Sequence, residues 1–476
     1  MCLHYFISKM PIQNKKTKIV ATIGPATESQ EMLTKLINAG MNVARLNMSH
    51  GDHAEHGGRV KNIRAVSEKL GTPVAILQDL SGPKIRTGSY TTERITIENG
   101  QEIILTSEEV VGDAKRIYIN YPKLPQEVKK DSVIMLDDGK KKLVVERVEG
   151  TEIYCRVVAG GELKPRRGVN VPGAYLSISS ITDKDMDDLK FGIEQSVDLI
   201  ALSFVRRADD VRKLRGLLKD AGKSTPIIVK IETQEAMDNL SEILAEADGA
   251  MVARGDLAVE VPAEMVPLYQ KRIIREANAL GKPVITATQM LESMIQSPVP
   301  TRAEVSDIAN AIFDGTDAVM LSEESTLGKF PVEAVEMMTR VAETVEASLP
   351  VTPVITTGIV DTITTSAVDT CAHIGATAIV SLTETGIAAQ MVARFRPRCP
   401  IIALSPNEGT VERLTLVRGV YPFHANAGKT TDEVIAFVSK FLLEKNLAKK
   451  GDHVVVTAGL KFGVPGSTNM LCVITV

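Results

Sequence analysis

Eight short apolar runs between residues 18 and 321 each end in polar residues or glycine, and amphipathic helical stretches follow most of them. Eight such units predict a closed (β/α)8 barrel. Between residues 83 and 180 the hydrophobic period changes to two, which predicts an inserted small β-barrel domain. After residue 350 strand–helix alternation resumes with five strands, which suits an open α/β sheet. The predicted fold class is therefore α/β: a TIM barrel carrying a β lid, followed by a C-terminal open α/β domain.

The expected barrel strands are 18–23, 42–47, 74–79, 198–204, 227–232, 249–253, 283–288 and 317–321, with helices at 30–39, 53–69, 183–194, 234–246 and 262–279. Glycine or proline precedes several strands (Gly40, Gly71 and Pro73, Gly281 and Pro283), as helix-to-strand loops require. An open doubly wound sheet shares this alternation, but eight units with polar strand ends favour closure. The domains divide as 1–16 (an N-terminal extension), 17–82 with 181–350 (the barrel), 83–180 (the lid) and 351–476 (the C-terminal domain). In the insertion, runs at 94–98, 102–106, 132–136 and 142–146 alternate, and Asp137-Asp-Gly-Lys140 is a hairpin turn. This small antiparallel domain leaves after strand three, from the face where barrel active sites lie, so it is placed to act as a lid.

C-terminal strands are expected at 378–382, 401–404, 420–423, 453–457 and 471–476. Thr383-Glu384-Thr385-Gly386 falls between a strand and a helix N-terminus, where amides can hold a phosphate, although an ordinary capped turn suits the same residues. Gly428-Lys-Thr430 is no P-loop, because Phe423 stands where that motif needs glycine.

The 476 residues allow about three domains, and the composition (44% hydrophobic, 24% charged) is that of an ordinary globular protein. A net charge of −4 without a basic stripe argues against nucleic acid, and no apolar run approaches membrane-spanning length. The five cysteines lack metal-type spacing and read as reduced thiols, so a cytoplasmic protein is expected. Residues 1–10 lack the features of a signal peptide, and Met10 is a candidate native start. The last strand reaches Val476, so no appended domain is expected.

Two segments carry the chemistry: Thr225-Pro-Ile-Ile-Val-Lys-Ile-Glu-Thr233 and Ala247-Asp-Gly-Ala-Met-Val-Ala-Arg-Gly-Asp256. Alternation places Lys230 with Glu232, and Arg254 with Asp256, on shared faces. Adjacent strands lie roughly 4.8 Å apart, so Glu232 and Asp256 can reach one cation. A buried salt bridge closing the strand ends is the simpler reading of any one such pair. Other strand ends shift the balance: Arg45, Asn47 and Ser49 after strand two, Asp79, Lys84 and Arg86 after strand three, Thr286 and Thr288 on strand seven, Ser322 and Glu323 after strand eight. Six strands delivering such groups to one mouth suit an anionic, metal-bound substrate. Phosphoryl transfer needs cations and in-line positioning more than covalent chemistry.

Ala44-Arg-Leu-Asn-Met-Ser-His-Gly51, Gly82-Pro-Lys-Ile-Arg-Thr-Gly88, Val229-Lys-Ile-Glu232, Met251-Val-Ala-Arg-Gly-Asp-Leu257 and Ala287-Thr-Gln-Met-Leu-Glu-Ser-Met294 resemble, in order, the signature blocks of pyruvate kinases. The resemblance spans nearly the whole chain. It implies phosphoryl transfer from phosphoenolpyruvate to ADP, giving pyruvate and ATP in the last step of glycolysis. Glu232 and Asp256 would hold Mg²⁺ (Mn²⁺ as a substitute). Lys230 would stabilise the migrating phosphoryl group and the enolate. Arg45 would grip the phosphoryl group. The amides of Gly255 and Asp256 and the Thr288 hydroxyl would bind the carboxylate, with Thr288 near the route of enolpyruvate protonation. A second Mg²⁺ would arrive with the nucleotide, which Asn47, His50, Arg86 and Arg167 would contact. A homotetramer is expected from the family alone.

Three departures stand out. Many members need K⁺, held by residues matching Asn47, Ser49, Asp79 and the carbonyl of Leu80. Those members usually carry glutamate at the position of Lys84 and threonine at that of Leu80. An ammonium at Lys84 supplies the missing charge, so activity without K⁺ is expected. Glu323 stands where a small residue is common. Glu384 stands where relatives that bind fructose 1,6-bisphosphate often have lysine or threonine, so a sugar monophosphate or nucleotide is the expected effector. The rival readings are a Mg²⁺-dependent phosphoenolpyruvate or pyruvate lyase or aldolase, and a degenerate kinase kept for binding. Intact Lys230, Arg45, Glu232, Asp256 and Thr288 argue against the second.

Overall fold

The computed structural model describes residues 14–349, 358–428, 430–459 and 468–476. The expectations about Met1, Met10 and the domain limits at 350 and 351 lie outside the described residues.

The eight expected strands form one closed parallel barrel: β1 Lys18–Thr22, β2 Val43–Asn47, β3 Ala75–Asp79, β4 Leu199–Leu202, β5 Ile227–Ile231, β6 Gly249–Ala253, β7 Val284–Ala287 and β8 Ala318–Leu321. Each pairs with its sequence neighbours, and β1 closes against β8. Local chemistry sets the helix limits. Ser29 and Asp52 cap the helices Gln30–Ala39 and His53–Leu70, and Gly71 ends the second in the left-handed conformation. Thr182 and Asp185 form a capping box at the start of Asp183–Glu194. The helix expected over 234–246 breaks at Asn239 into Gln234–Asp238 and Leu240–Glu246. That expected over 262–279 begins at Val266, because Pro262 and a 3-10 turn occupy its first residues.

Strand alternation sorts side chains into two layers. Val20, Val43, Leu77, Ile228, Met251 and Ile285 fill the barrel interior, while residues one position away pack against the helices. Leu416, from the C-terminal domain, closes the lower end of the interior core and is fully buried there. The interior parity carried upward reaches Thr22, Arg45, Asp79, Ser203 and Lys230, so the same alternation that fills the core aims polar groups at the mouth.

The insertion forms a six-stranded sheet and a two-stranded ribbon around a shared apolar core. Its hairpin turns at Asp137, Asp138 and Gly139, all at positive φ. Two details differ from the expectation. Glu102–Thr106 and Arg116–Tyr118 pair in parallel, so the domain is not purely antiparallel, and its two sheets are not one closed ring of hydrogen bonds. The C-terminal sheet has the order Val420–His424, Ile401–Ser405, Ala378–Leu382, His453–Gly459, Thr468–Thr475, with only the last strand antiparallel. Among the described residues no helix is long and apolar enough to cross a membrane.

Candidate active site

Four charged side chains meet at the top of the barrel interior. Arg45, on β2, donates from Nε to Asp79 Oδ2 at 2.7 Å and from Nη1 to Thr22 Oγ1 at 2.9 Å. Lys230, on β5, lies 2.9 Å from Glu232 Oε1 and 3.5 Å from Asp79 Oδ1. Its ammonium also donates to Ser203 Oγ at 2.8 Å. Glu232 is fully buried, and its Oε2 accepts from the Phe204 amide at 2.7 Å. Two cations thus face two carboxylates, so the innermost site is close to neutral without a ligand.

Burial disfavours charge on each group, and the neighbours decide the outcome. Burial alone would lower the Lys230 pKa, yet Asp79, Glu232 and Asp256 raise it well above the ordinary lysine range. Burial pushes Glu232 up to about 7 and Asp256 adds to this, while Lys230 opposes it. Burial opposes ionisation of Asp79, but Lys230 and Arg45 hold it below the ordinary range. Glu232 Oε1 receives no aligned hydrogen bond although it is buried beside an ammonium. A buried carboxylate whose Oε1 faces only the Lys230 ammonium, with the Asp256 carboxylate close enough to raise its pKa, is the chemistry that a hard divalent cation would fit.

Asp256 does not come off a strand. Residues Arg254–Glu260 form a helix directly after β6, so the shared strand face expected for Arg254 and Asp256 does not exist. Helical residues two positions apart in sequence lie about 200° apart around the axis. Asp256 lines the mouth, whereas Arg254 turns to Asp307 at 2.7 Å and to the carbonyls of Ala287 and Thr288. Thr286 is also corrected. It lies in the layer between strands and helices, fully buried, and donates to Thr316 Oγ1 at 2.9 Å. Thr288 reaches the mouth because β7 ends at Ala287 and Thr288 adopts φ +73°. Its hydroxyl accepts from the Gly255 amide at 2.9 Å and donates to the Ala287 carbonyl, so that amide is already engaged. A non-glycine residue in this conformation costs of order 1–3 kcal/mol, and the two Arg254 bonds to this turn help to hold it.

A cavity of about 290 Å³ lies between lid and barrel, with Lys84, Arg86, Arg166 and Arg167 on one side and Thr233 and Asp256 on the other. Asn170 of the lid donates to Glu260 of the barrel at 2.9 Å across this cleft. The cations form one wall on which an anion can rest, facing the carboxylates Glu235, Asp238, Asp256 and Glu260. Partial burial of the His50 ring lowers its pKa, as do Lys84, Arg86 and Arg45. Lys84 donates to Ser49 Oγ at 2.9 Å, and Ser49 in turn donates from its amide to Asn47 Oδ1. The ammonium therefore sits among the side chains suggested for a monovalent cation. Arg167 lies 3.5 Å from Asp137. Ser322 is half-buried and Glu323 exposed, while the neighbouring Glu324 turns inward to the amides of Ser322 and Leu291.

Sequence reasoning missed Thr22 and Ser203, which add β1 and β4 to the mouth. Parity with Val20 and Ala201 would have found both. In the C-terminal domain the loop 383–386 is a capped turn. Thr383 Oγ1 accepts from the Gly386 amide at 2.9 Å, Thr410 donates to the Glu384 carbonyl, and Asn407 reaches the Glu384 carboxylate at 3.2 Å. Thr385 is exposed.

Comparison with known proteins agrees with this geometry. Residues 14–335 match the family described as pyruvate kinase, barrel domain, and residues 361–474 match pyruvate kinase, alpha/beta domain. The chain is 48% identical over 467 residues to a pyruvate kinase of Staphylococcus saprophyticus, covering 96% of this chain and 80% of that one. It is 49% identical over 468 residues to a pyruvate kinase of Geobacillus stearothermophilus, with the same coverage. A crystal structure of a pyruvate kinase from Cryptosporidium parvum superposes with a TM-score of 0.93 at 35% identity, covering 97% of this chain and 96% of that one. The lyase or aldolase reading is not supported, and the chain belongs to the pyruvate kinase family.

Proposed function

We propose that the barrel mouth transfers the phosphoryl group of phosphoenolpyruvate to ADP, with Lys230 as its central cation. One observation supports this most: Lys230 is wedged between Asp79 and Glu232, within electrostatic reach of Arg45 and of Asp256, which lines the cavity carrying the lid cations. Arg45, fixed by Asp79 and Thr22, presents its guanidinium to the phosphoryl group. Lys230 gains most when charge moves onto the phosphoryl oxygens and the enolate, which is transition-state stabilisation. Glu232 and Asp256 would hold Mg²⁺, or Mn²⁺ in its place. Bound there, the metal supplies positive charge to substrate carboxylate and phosphate oxygens. Thr288 and the amides of Gly255 and Asp256 receive the carboxylate, Thr288 by exchanging its present bonds. His50, Arg86, Arg167 and Asn47 take the nucleotide beneath the lid.

Lys84 occupies the region of Asn47 and Ser49, so activity is independent of K⁺. Glu384 repels one phosphate of a bisphosphate, so a sugar monophosphate or nucleotide is the effector; activation by low fructose 1,6-bisphosphate would contradict this. The domain division at 82/83, 180/181 and 350/351, a cytoplasmic location and a homotetramer, checked by sedimentation, belong to the same reading. The direct test is pyruvate formation from phosphoenolpyruvate, which requires both ADP and Mg²⁺. Pyruvate released at the same rate without ADP contradicts it.

A further inference from the structure

The C-terminal domain brings two thiols together that the transferase reaction does not use. Cys371 lies on the helix Ile359–Ile374 and Cys399 just before the strand Ile401–Ser405. Both are free, and their sulfurs are 2.6 Å apart across 28 residues of chain. That is roughly half an ångström beyond a ~2.05 Å S–S bond. Cys371 is 4% exposed within the apolar core, and Cys399, half-buried at its edge, is the more exposed residue of the two.

The position links two anchors. The helix bearing Cys371 also bears Asp361, which pairs with Arg394 at 3.2 Å. Close before Cys399, Arg396 reaches into the barrel domain, contacting Asp317 at 3.0 Å and Asn278 at 2.8 Å. A bond between the two sulfurs would tie the domain's first helix to the segment that grips the barrel.

We propose that Cys371 and Cys399 form a reversible intrachain disulfide, a redox-sensitive staple behind the Arg396 contact to the barrel. The oxidant is a low-molecular-weight disulfide. The Cys399 thiolate attacks one reagent sulfur and expels one reagent thiol. The Cys371 thiolate then attacks Cys399 sulfur and expels the second. Two protein S–H bonds and the reagent S–S bond are lost; one protein S–S bond and two reagent S–H bonds form. Closing a loop of this length restrains the unfolded chain, so the oxidised form is the more heat-resistant.

The test equilibrates the full chain with excess glutathione disulfide, then counts thiols in denaturant and maps linked peptides by mass. Of the five cysteines, two are consumed by the proposed bond. The peptide carrying Cys399 is found joined to that carrying Cys371, and the melting midpoint rises and returns on reduction. Cys399→Ser, at the half-buried edge, shows neither the linkage nor the shift. The proposal is overturned by a Cys399–glutathione adduct without the link, by both thiols remaining free, or by a linked form that melts no higher than the reduced one.

Discussion

The ammonium of Lys230 lies 2.9 Å from Glu232 Oε1, an oxygen that is buried and receives no aligned hydrogen bond. The other oxygen of the same carboxylate is tied to the Phe204 amide. The carboxylate is thus held by the Phe204 amide at one oxygen and faces only the Lys230 ammonium at the other, so a metal ion would share Oε1 with that ammonium.

Glu232→Gln keeps an acceptor for the Phe204 amide but removes the charge. The Mg²⁺ concentration giving half-maximal rate should rise at least tenfold, while the thermal midpoint changes little, since burial already disfavours the charged form. A Mg²⁺ titration of the rate in each variant measures it. An unchanged Mg²⁺ requirement contradicts the assignment of Glu232 to the metal.

Ser203 spans Lys230 Nζ at 2.8 Å and the Leu80 carbonyl at 2.7 Å, and so fixes where the ammonium points. Ser203→Ala removes that support without altering charge. A lost hydrogen bond to a charged group is worth about 1.5–3 kcal/mol, so kcat should fall at least tenfold with KM for phosphoenolpyruvate nearly constant. A change confined to KM would place Ser203 in binding.

The role proposed for Lys84 is to stand in for a monovalent cation. With tetramethylammonium chloride in place of KCl, the native protein should keep its rate. Lys84→Glu should lower the rate in tetramethylammonium and recover part of it in KCl. Steady-state rates in the two salts at equal ionic strength decide it, and a large stimulation of the native protein by K⁺ refutes the role given to Lys84.

At the domain boundary Glu412 takes a hydrogen bond from Arg64 at 3.1 Å. Burial raises its pKa to about 8, with the Asp198 carboxylate adding to the effect. A folded pKa above the unfolded value of 4.5 means that the folded state keeps a proton the unfolded chain releases. Stability contributed by this site is therefore full below about 4.5 and lost as pH rises towards about 8. Melting midpoints from pH 5 to 8 should fall through this contribution, and Glu412→Gln should flatten the slope. An identical slope in the variant rejects it.

The barrel was legible because interior and shell layers both read as apolar runs, and polar residues at strand ends marked its mouth. Lys230, Glu232, Arg45 and Asp79 converge because strand parity continues to the last turn of each strand. Parity failed where a strand ended early. Arg254 already belongs to a helix, and Thr288 owes its direction to a positive φ that alternation cannot show. Thr286 lies outside the mouth because Ile285 and Ala287 are the residues of β7 that face inward. Ser203 and Thr22 are hard to single out by sequence because a lone hydroxyl at a strand end ordinarily reads as a cap. The pairing of Cys371 with Cys399 needed the fold, since 28 residues separate them.

The most direct test is Lys230→Met, which keeps the stem and removes the charge. Turnover of phosphoenolpyruvate and ADP should fall by several orders of magnitude while phosphoenolpyruvate still binds in the presence of Mg²⁺, because the role proposed for this cation is exerted chiefly in the transition state. Near-normal turnover in that variant would contradict the account.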